Sequence, residues 1–299
     1  MPIQIGISNA IKGDTGTGGG PGPGPGPSPV TEPYLAYSVR LLDSEFGISY
    51  SGPSMRVRRN SDGVEADVEF DSGVISLNST ISNTSATETT FGDFVGHGGT
   101  PTDAIVTVWY NQTSTGVDLY DRTVTQAFQI YDASTGLSEL NGKPAFDGSY
   151  QNLAIFRSAS PVTLTTETGI YVVADNLSSS NSDYIINTAS SGIEGLRAKA
   201  FVPTEAGGLL FNPSGQWAIS AHLESGVASV YYDNSLVNSW TPTGTKITGL
   251  ETLNVGGYGS QGYFSPWDGK IQEFIFYNSA SLTGRDTITL NQKTYYGIS

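Results

Sequence analysis

The sequence predicts an all-β fold, a two-sheet antiparallel β-sandwich of jelly-roll type with a short C-terminal helix. Three observations carry that prediction. Only 14% of the 299 residues are charged, against about 25% in a typical domain, so the charged faces that surface helices present are scarce. The 16 Tyr, 12 Phe and 4 Trp fall largely with β-branched residues in short runs, which suit a pleated, half-buried surface. The 37 Gly and 15 Pro punctuate those runs as turns, the pattern of many short strands in two packed sheets.

The chain divides into an extended N-terminal arm (1–12), a linker (13–30) and a body (31–299). In the arm, Ile3, Ile5 and Ile7 alternate with Gln4, Gly6 and Ser8, the period of a strand. A lone strand does not stay folded in water, so these isoleucines are expected to dock on another protein's sheet. From Gly13 to Pro29, 13 of 17 residues are Gly or Pro. Gly supplies no side chain and Pro no backbone donor, so no core or ladder is expected there. Gly13, Gly16, Gly19 and Gly22 keep a collagen frame that Pro25 breaks, too few triplets for a triple helix.

In the body, strands are expected at 34–42, 54–59, 64–70, 104–110, 126–132, 169–175, 196–202, 216–223, 228–233, 252–257 and 269–278. Asn60-Ser61-Asp62-Gly63 and Asp233-Asn234 read as hairpin turns, because these residue types tolerate left-handed backbone. A helix is expected from about Gly284 to Tyr296, with Thr283 as its cap and Asp286 in the acidic first turn.

Several functions are disfavoured. A net charge of −14 repels phosphate backbones, so no nucleic-acid partner is expected. No apolar run of 18 residues reads as a membrane span, and MPIQIGISNAIKG has neither the basic nor the apolar region of a secretory leader. Cysteine is absent, which removes disulfides and thiolate chemistry. His97 and His222 have no Ser or Asp at motif spacing and read as structural.

Sugar sites set aromatic faces beside amides and carboxylates. The segment 256–269, GGYGSQGYFSPWDG, is the richest aromatic loop, so Tyr258, Tyr263, Trp267 and Asp268 are the expected glycan-binding residues. Trp109 and Trp217 sit in strand patterns and are expected in the core. Glycosidic hydrolysis commonly uses two facing carboxylates. Glu65, Asp67, Glu69, Asp118, Asp121, Glu194 and Glu273 are candidates, but sequence does not say which face each other. Glu65, Asp67 and Glu69 alternate on one strand and read as a solvated face paired with Arg40, Arg56, Arg58 or Arg59.

Two resemblances follow from these residues. Gln216-Trp217-Ala218-Ile219-Ser220, Val230-Tyr231-Tyr232-Asp233-Asn234, Leu253-Asn254-Val255-Gly256-Gly257 and Trp267-Asp268-Gly269-Lys270-Ile271-Gln272-Glu273 resemble, in that order, the laminin G-like branch of the concanavalin A-like lectin/glucanase superfamily. Ser38-Val39-Arg40-Leu41-Leu42, the stretch Tyr50 to Arg59, Val106 to Gln112 and Asn141 to Gly148 are similar to the catalytic domain of fungal α-L-arabinofuranosidase B. Together they imply one concanavalin A-like sandwich over 34–299. Such a body behind a short tail and a Gly/Pro linker resembles bacteriophage virion proteins, which implies a head or tail fibre or decoration at the virion surface. Residues 1–12 would then bind a capsid or tail protein, and the body would bind glycans; a homo-oligomer stays open.

No motif carries the family's nucleophile or acid onto a numbered residue, and Asn111 stands where that branch often has Asp. The expectation is therefore a non-enzyme with no catalytic residue. Some sandwiches of the superfamily bind calcium, but no Asp-rich loop of suitable spacing occurs, so no cofactor or metal is expected. The alternative is a free carbohydrate-binding protein or an arabinofuranosidase-like hydrolase.

Overall fold

The protein is described here by a computed structural model covering residues 31–42, 46–121, 127–149, 154–165, 167–176, 184–188, 195–197, 200–202, 209–210, 215–225, 227–241, 249–255, 257–260, 263–266, 269–278 and 284–299. Ile3, Ile5, Ile7, the linker, Trp267, Asp268 and Glu194 lie outside the described residues.

The strand Ala104–Trp109 is where two layers part. Ala104, Ile105 and Val106 pair with the strand Phe128–Asp132, while Val108 and Trp109 pair with Leu119–Asp121. The first layer runs from Phe128–Asp132 through Phe146–Asp147, Gly269–Tyr277, Thr168–Asn176 and Gln216–Glu224 to the hairpin Val227–Tyr232 and Ser235–Trp240. The second runs from Leu119–Asp121 through Phe156–Ser158 and Leu253–Val255 to Tyr184–Thr188. On the other flank of Ala104–Trp109, Met55–Arg59 pairs with it and with Glu65–Val68. Every pairing among these strands is antiparallel.

Side chains alternate across a strand, so each layer turns one row inward. Phe128, Phe146 and Phe274 from the first layer meet Phe156, Leu253 and Val255 from the second. Phe128 and Phe156 stack at 4.8 Å, and Trp109 meets Phe146 edge-on at 4.8 Å. Trp109 and Trp217 are fully buried, as their strand patterns predicted. Burying each such side chain stabilises by roughly 1.5–3 kcal/mol.

Most expected strands form within a residue or two of their expected ends. The stretch 196–202 is different: it forms Gly195–Arg197 and Ala200–Val202, paired with each other. Alternating polarity is the same for one strand and for two halves folded on each other, so the pattern did not mark the reversal. The Asp233-Asn234 turn has φ of 48° and 66°, as a type I′ hairpin requires.

The C-terminal helix spans Arg285–Tyr296, with Asp286 in its first turn. Its expected cap is corrected: Gly284, with φ of 108°, occupies the capping position and supplies no side-chain hydrogen bond. Thr283 lies outside the described residues. Gly297, at φ 67°, ends the helix in the left-handed conformation, which glycine adopts without steric cost. Ile288, Thr289, Gln292 and Tyr296 face inward, covering the outer face of the first layer. Beneath them Arg40 donates to both oxygens of the fully buried Glu273, at 2.8 and 3.1 Å, and Gln292 and Tyr296 donate to the same carboxylate at 3.1 Å each. Glu273 is therefore a structural anchor, spent on holding helix to sheet.

Candidate functional site

Met55, Val57, Ala66, Val68 and Trp109 enter the core completely. The alternate positions Arg56 and Asp67, directly opposite each other in register, occupy the outer face with Tyr110. Sheet geometry thus collects these groups without any sequence motif.

Asp67 is the centre of the cluster. It accepts Arg56 Nε at 2.8 Å and Nη2 at 3.2 Å, Tyr110 Oη at 2.7 Å and Asn83 Nδ2 at 2.9 Å. Burial alone would raise its carboxyl, but the hydrogen bonds from Arg56, Tyr110 and Asn83 outweigh that and hold it below the usual range. Asp67 is therefore firmly ionised. The expectation of a solvated face is corrected at this position, since Asp67 is only 6% exposed. The expected pairing with Arg56 forms, and Glu65 lies 3.8 Å from the same guanidinium.

Asp118 has the opposite environment. Burial raises its carboxyl, and the single Asn111 N–H, donated at 2.9 Å, offsets only part of this. Asn111 itself ties the 111–118 loop to the strand Leu35–Ser38: its Oδ1 accepts Ala36 N at 2.9 Å and its Nδ2 donates to Thr115 at 2.6 Å. An Asp here would lose that second bond, which explains the Asn in structural terms.

Two phenols connect the carboxylates electrostatically. Burial raises the Tyr110 hydroxyl, as do its bond to Asp67 and the charge of Asp118. Burial also raises Tyr50, followed by the charges of Asp118, Glu69 and Asp67. Tyr50 Oη donates to Pro53 O at 2.7 Å, and its ring end lies over Gly52, where a Cβ would sit 2.5 Å from the hydroxyl oxygen. The result is two half-buried phenols, an amide, a guanidinium and two carboxyl groups with divergent proton affinities. One carboxyl is thus held towards its ionised form and the other towards its protonated form, the division of labour that acid and base chemistry uses.

The other candidates separate. Tyr258 and Tyr263 belong to the hairpin Gly257–Ser260 and Tyr263–Pro266, where the register puts positions 258 and 263 on one face. Glu69 accepts Ser82 Oγ at 2.7 Å, and Glu273 is consumed by Arg40. His97 is exposed, with its Nδ1 3.0 Å from Tyr131 Oη, whereas His222 is buried between Tyr171 and Tyr231. Among the described residues no three His, Asp or Glu side chains gather as a metal set. Tyr50, Asn83 and Tyr110 were not named as site residues from the sequence, since only the tertiary fold brings Asn83 and Tyr110 to Asp67 and exposes Tyr50 to its charge.

No family model matches the chain, and no curated protein matches it. Solved structures do. A glutamate-to-glutamine mutant of a GH54 α-L-arabinofuranosidase, soaked with 4-nitrophenyl α-L-arabinofuranoside, matches over 87% of this chain with a TM-score of 0.56 at 13% identity. An arabinofuranosidase complexed with arabinofuranosyl-α-1,2-xylobiose matches over 87% with a TM-score of 0.53 at 14% identity. This chain shares their β-sandwich fold. It spans 62% of the length of each, and identities this low establish fold alone. A sialidase of Trypanosoma rangeli also matches, at a TM-score of 0.42 and 11% identity over 64% of this chain and 32% of its own.

The two arabinofuranosidase matches correct the expectation of a non-enzyme. Nearly the whole described sandwich has the fold of glycoside hydrolases, so the lack of a legible catalytic motif was no ground for excluding catalysis. They also bear out the arabinofuranosidase half of the sequence resemblance at the level of fold.

Proposed function

We propose that this sandwich acts on glycans as a glycoside hydrolase, with Asp118 as the proton donor and Asp67 as the ionised partner. The observation that carries the reading is the opposed environments of these two acids, whose charges both act on Tyr50 and Tyr110. Asp118 gives its proton to the glycosidic oxygen as the bond to the anomeric carbon breaks. Asp67 stabilises the positive charge that develops on the sugar ring. Water adds its hydroxyl to the anomeric carbon, and the proton it releases restores Asp118. The tyrosine faces supply the flat apolar surface that sugar C–H groups pack against, while Asn83 and Arg56 offer donors to hydroxyls.

The test is hydrolysis of 4-nitrophenyl α-L-arabinofuranoside and of arabinofuranosyl-xylobiose by the full chain, beside Asp67→Asn and Asp118→Asn. A rate lowered at least ~100-fold in both variants, the scale of general acid catalysis, supports the reading. Equal rates in all three, or no hydrolysis with unaltered sugar binding by the variants, overturns it.

A second reading is display on a bacteriophage virion surface, favoured by the Ile3, Ile5, Ile7 alternation ahead of the Gly13 to Pro29 run. Its test is co-sedimentation with particles lacking this protein. Full-length chain that travels with them, while a version without residues 1–30 does not, supports capsid or tail anchoring. Failure of both to travel sinks it.

A further inference from the structure

A second polar feature lies on the outer face of the first layer, away from Asp67. Five consecutive strands each place one polar residue in a single row. Gln129 is directly opposite Asp147, Asp147 opposite Lys270, Lys270 opposite Asp175, and Asp175 opposite Gln216. The chain neighbours Phe128, Phe146, Ile271, Ala174 and Trp217 all turn into the core, so the row faces outward. At about 4.8 Å between strands, it crosses roughly 19 Å.

The row is graded in burial. Gln129 and Asp175 are 4% and 8% exposed and form its floor, while Asp147, Lys270 and Gln216 are half-buried. Lys270 Nζ stands 3.8 Å from Asp147 and donates to Glu139 O at 2.9 Å. The hairpin Glu139–Leu140 and Lys143–Pro144 makes one wall: Asn141 donates to Gln216, Gln216 to Gln272, and Gln272 to Pro144 O at 3.0 Å. One group remains unaccounted for. The Nε2 of Gln129 is buried and has no acceptor among the described residues. Leaving a buried amide donor unpaired costs about 1–3 kcal/mol, so its place beside Asp147 at the end of the row asks for an oxygen partner.

We propose that this row is a binding strip for a linear, neutral, hydroxyl-rich chain, an oligosaccharide lying across the strands. The chemistry fits that class. Two amides, two carboxylates and an ammonium alternate donors with acceptors, and a sugar hydroxyl is both at once. A polyanion would meet the two carboxylates. A single small sugar would leave most of a 19 Å-scale row unused. The strip requires no hydrolysis and stands or falls independently of the Asp67–Asp118 site.

The experiment titrates xylohexaose into the ¹⁵N-labelled full chain and follows the side-chain amide signals of Gln129 and Gln216. Saturable shifts at both are expected, with binding weakened at least ~10-fold in Lys270→Met. Since Lys270→Met also removes contacts to Asp147 and the hairpin, Gln129→Leu is the second variant. It replaces an unpaired amide by an apolar group, so it is expected to fold and to lose affinity. No saturable shift up to ~10 mM, shifts confined to Tyr50, Asn83 and Tyr110, or unchanged binding in a folded Gln129→Leu each overturns the strip. Saturable shifts at Gln129 and Gln216 in a chain that hydrolyses no arabinoside support the strip independently of the Asp67–Asp118 chemistry.

Discussion

The ring of His222 sits edge-on to Tyr171, with centroids 5.3 Å apart and planes crossing at 83°, and is only 3% exposed. Neither ring nitrogen has a hydrogen-bond partner among the described residues. Tyr231 closes the far side at 5.7 Å, and the helix brings in Arg285, whose guanidinium lies 3.8 Å from the Tyr231 ring centre.

This packing makes acid a specific stress. Burial, then the Arg285 charge, lowers the His222 pKa from 6.5 to about 4. The folded state therefore favours the neutral ring. The resulting stability is fully present above pH 6.5 and is lost as the pH falls from there towards 4. A shift of that size corresponds to about 3 kcal/mol by pH 4. Urea unfolding of the wild type and His222→Phe at pH 7, 5.5 and 4 measures it; a gap between the two that does not change with pH contradicts it.

The Arg40–Glu273 pair predicts a second stability effect. Glu273→Leu leaves a buried guanidinium uncompensated and is expected to cost about 3–5 kcal/mol. Adding Arg40→Met removes the stranded charge and should recover a large part of that loss. Chemical denaturation of both proteins checks the order, and a double variant less stable than the single one refutes it.

Asp67 and Asp118 should differ in what they do for the fold. Asp67→Asn weakens the charge-assisted bonds with Arg56 and is expected to cost about 2 kcal/mol. Asp118→Asn keeps an oxygen for the Asn111 N–H and is expected to change stability by less than about 1 kcal/mol. Thermal unfolding gives both values. The proposed chemistry also predicts a bell-shaped pH profile, falling on the acid side as Asp67 is protonated and on the alkaline side as Asp118 loses its proton. A rate that keeps rising with pH contradicts the assignment.

Gly96 offers a backbone test. It has φ of 69°, and a Cβ there would lie 2.3 Å from Thr100 O. Gly96→Ala is strained in both dihedral and contact and should lower stability by at least about 1 kcal/mol. Gly98 is a control, because its φ is also positive at 82° but no atom lies within 4 Å of the added Cβ. Equal effects at both positions would mean that the contact with Thr100 is unimportant.

The fold class was legible because strand patterning is local. Val106, Thr107 and Val108 form a β-branched run closed by Trp109, and Asp233-Asn234 marks its own turn, so neither needs a distant partner to be recognised. The same locality explains what was missed. Lengthwise polarity at 196–202 reads alike for one strand or two, and Gly284 displaces the expected cap because backbone geometry, not residue preference, sets the entry to the helix.

Sequence by itself determined the strands, the burial of Trp109 and Trp217, the Gly/Pro run and the surplus of acid. It also named Asp67 and Asp118, as two carboxylates among seven candidates. Only the tertiary structure decided the environment of each. Proton affinity depends on burial and on partners far along the chain, and Asp67 obtains its partners from positions 56, 83 and 110. Glu273 reads in sequence like any other acid, yet it is fully buried beneath Arg40 and Tyr296. Register does the rest: it brings Gln129, Asp147, Lys270, Asp175 and Gln216 into one row because antiparallel pairing fixes which residues stand opposite.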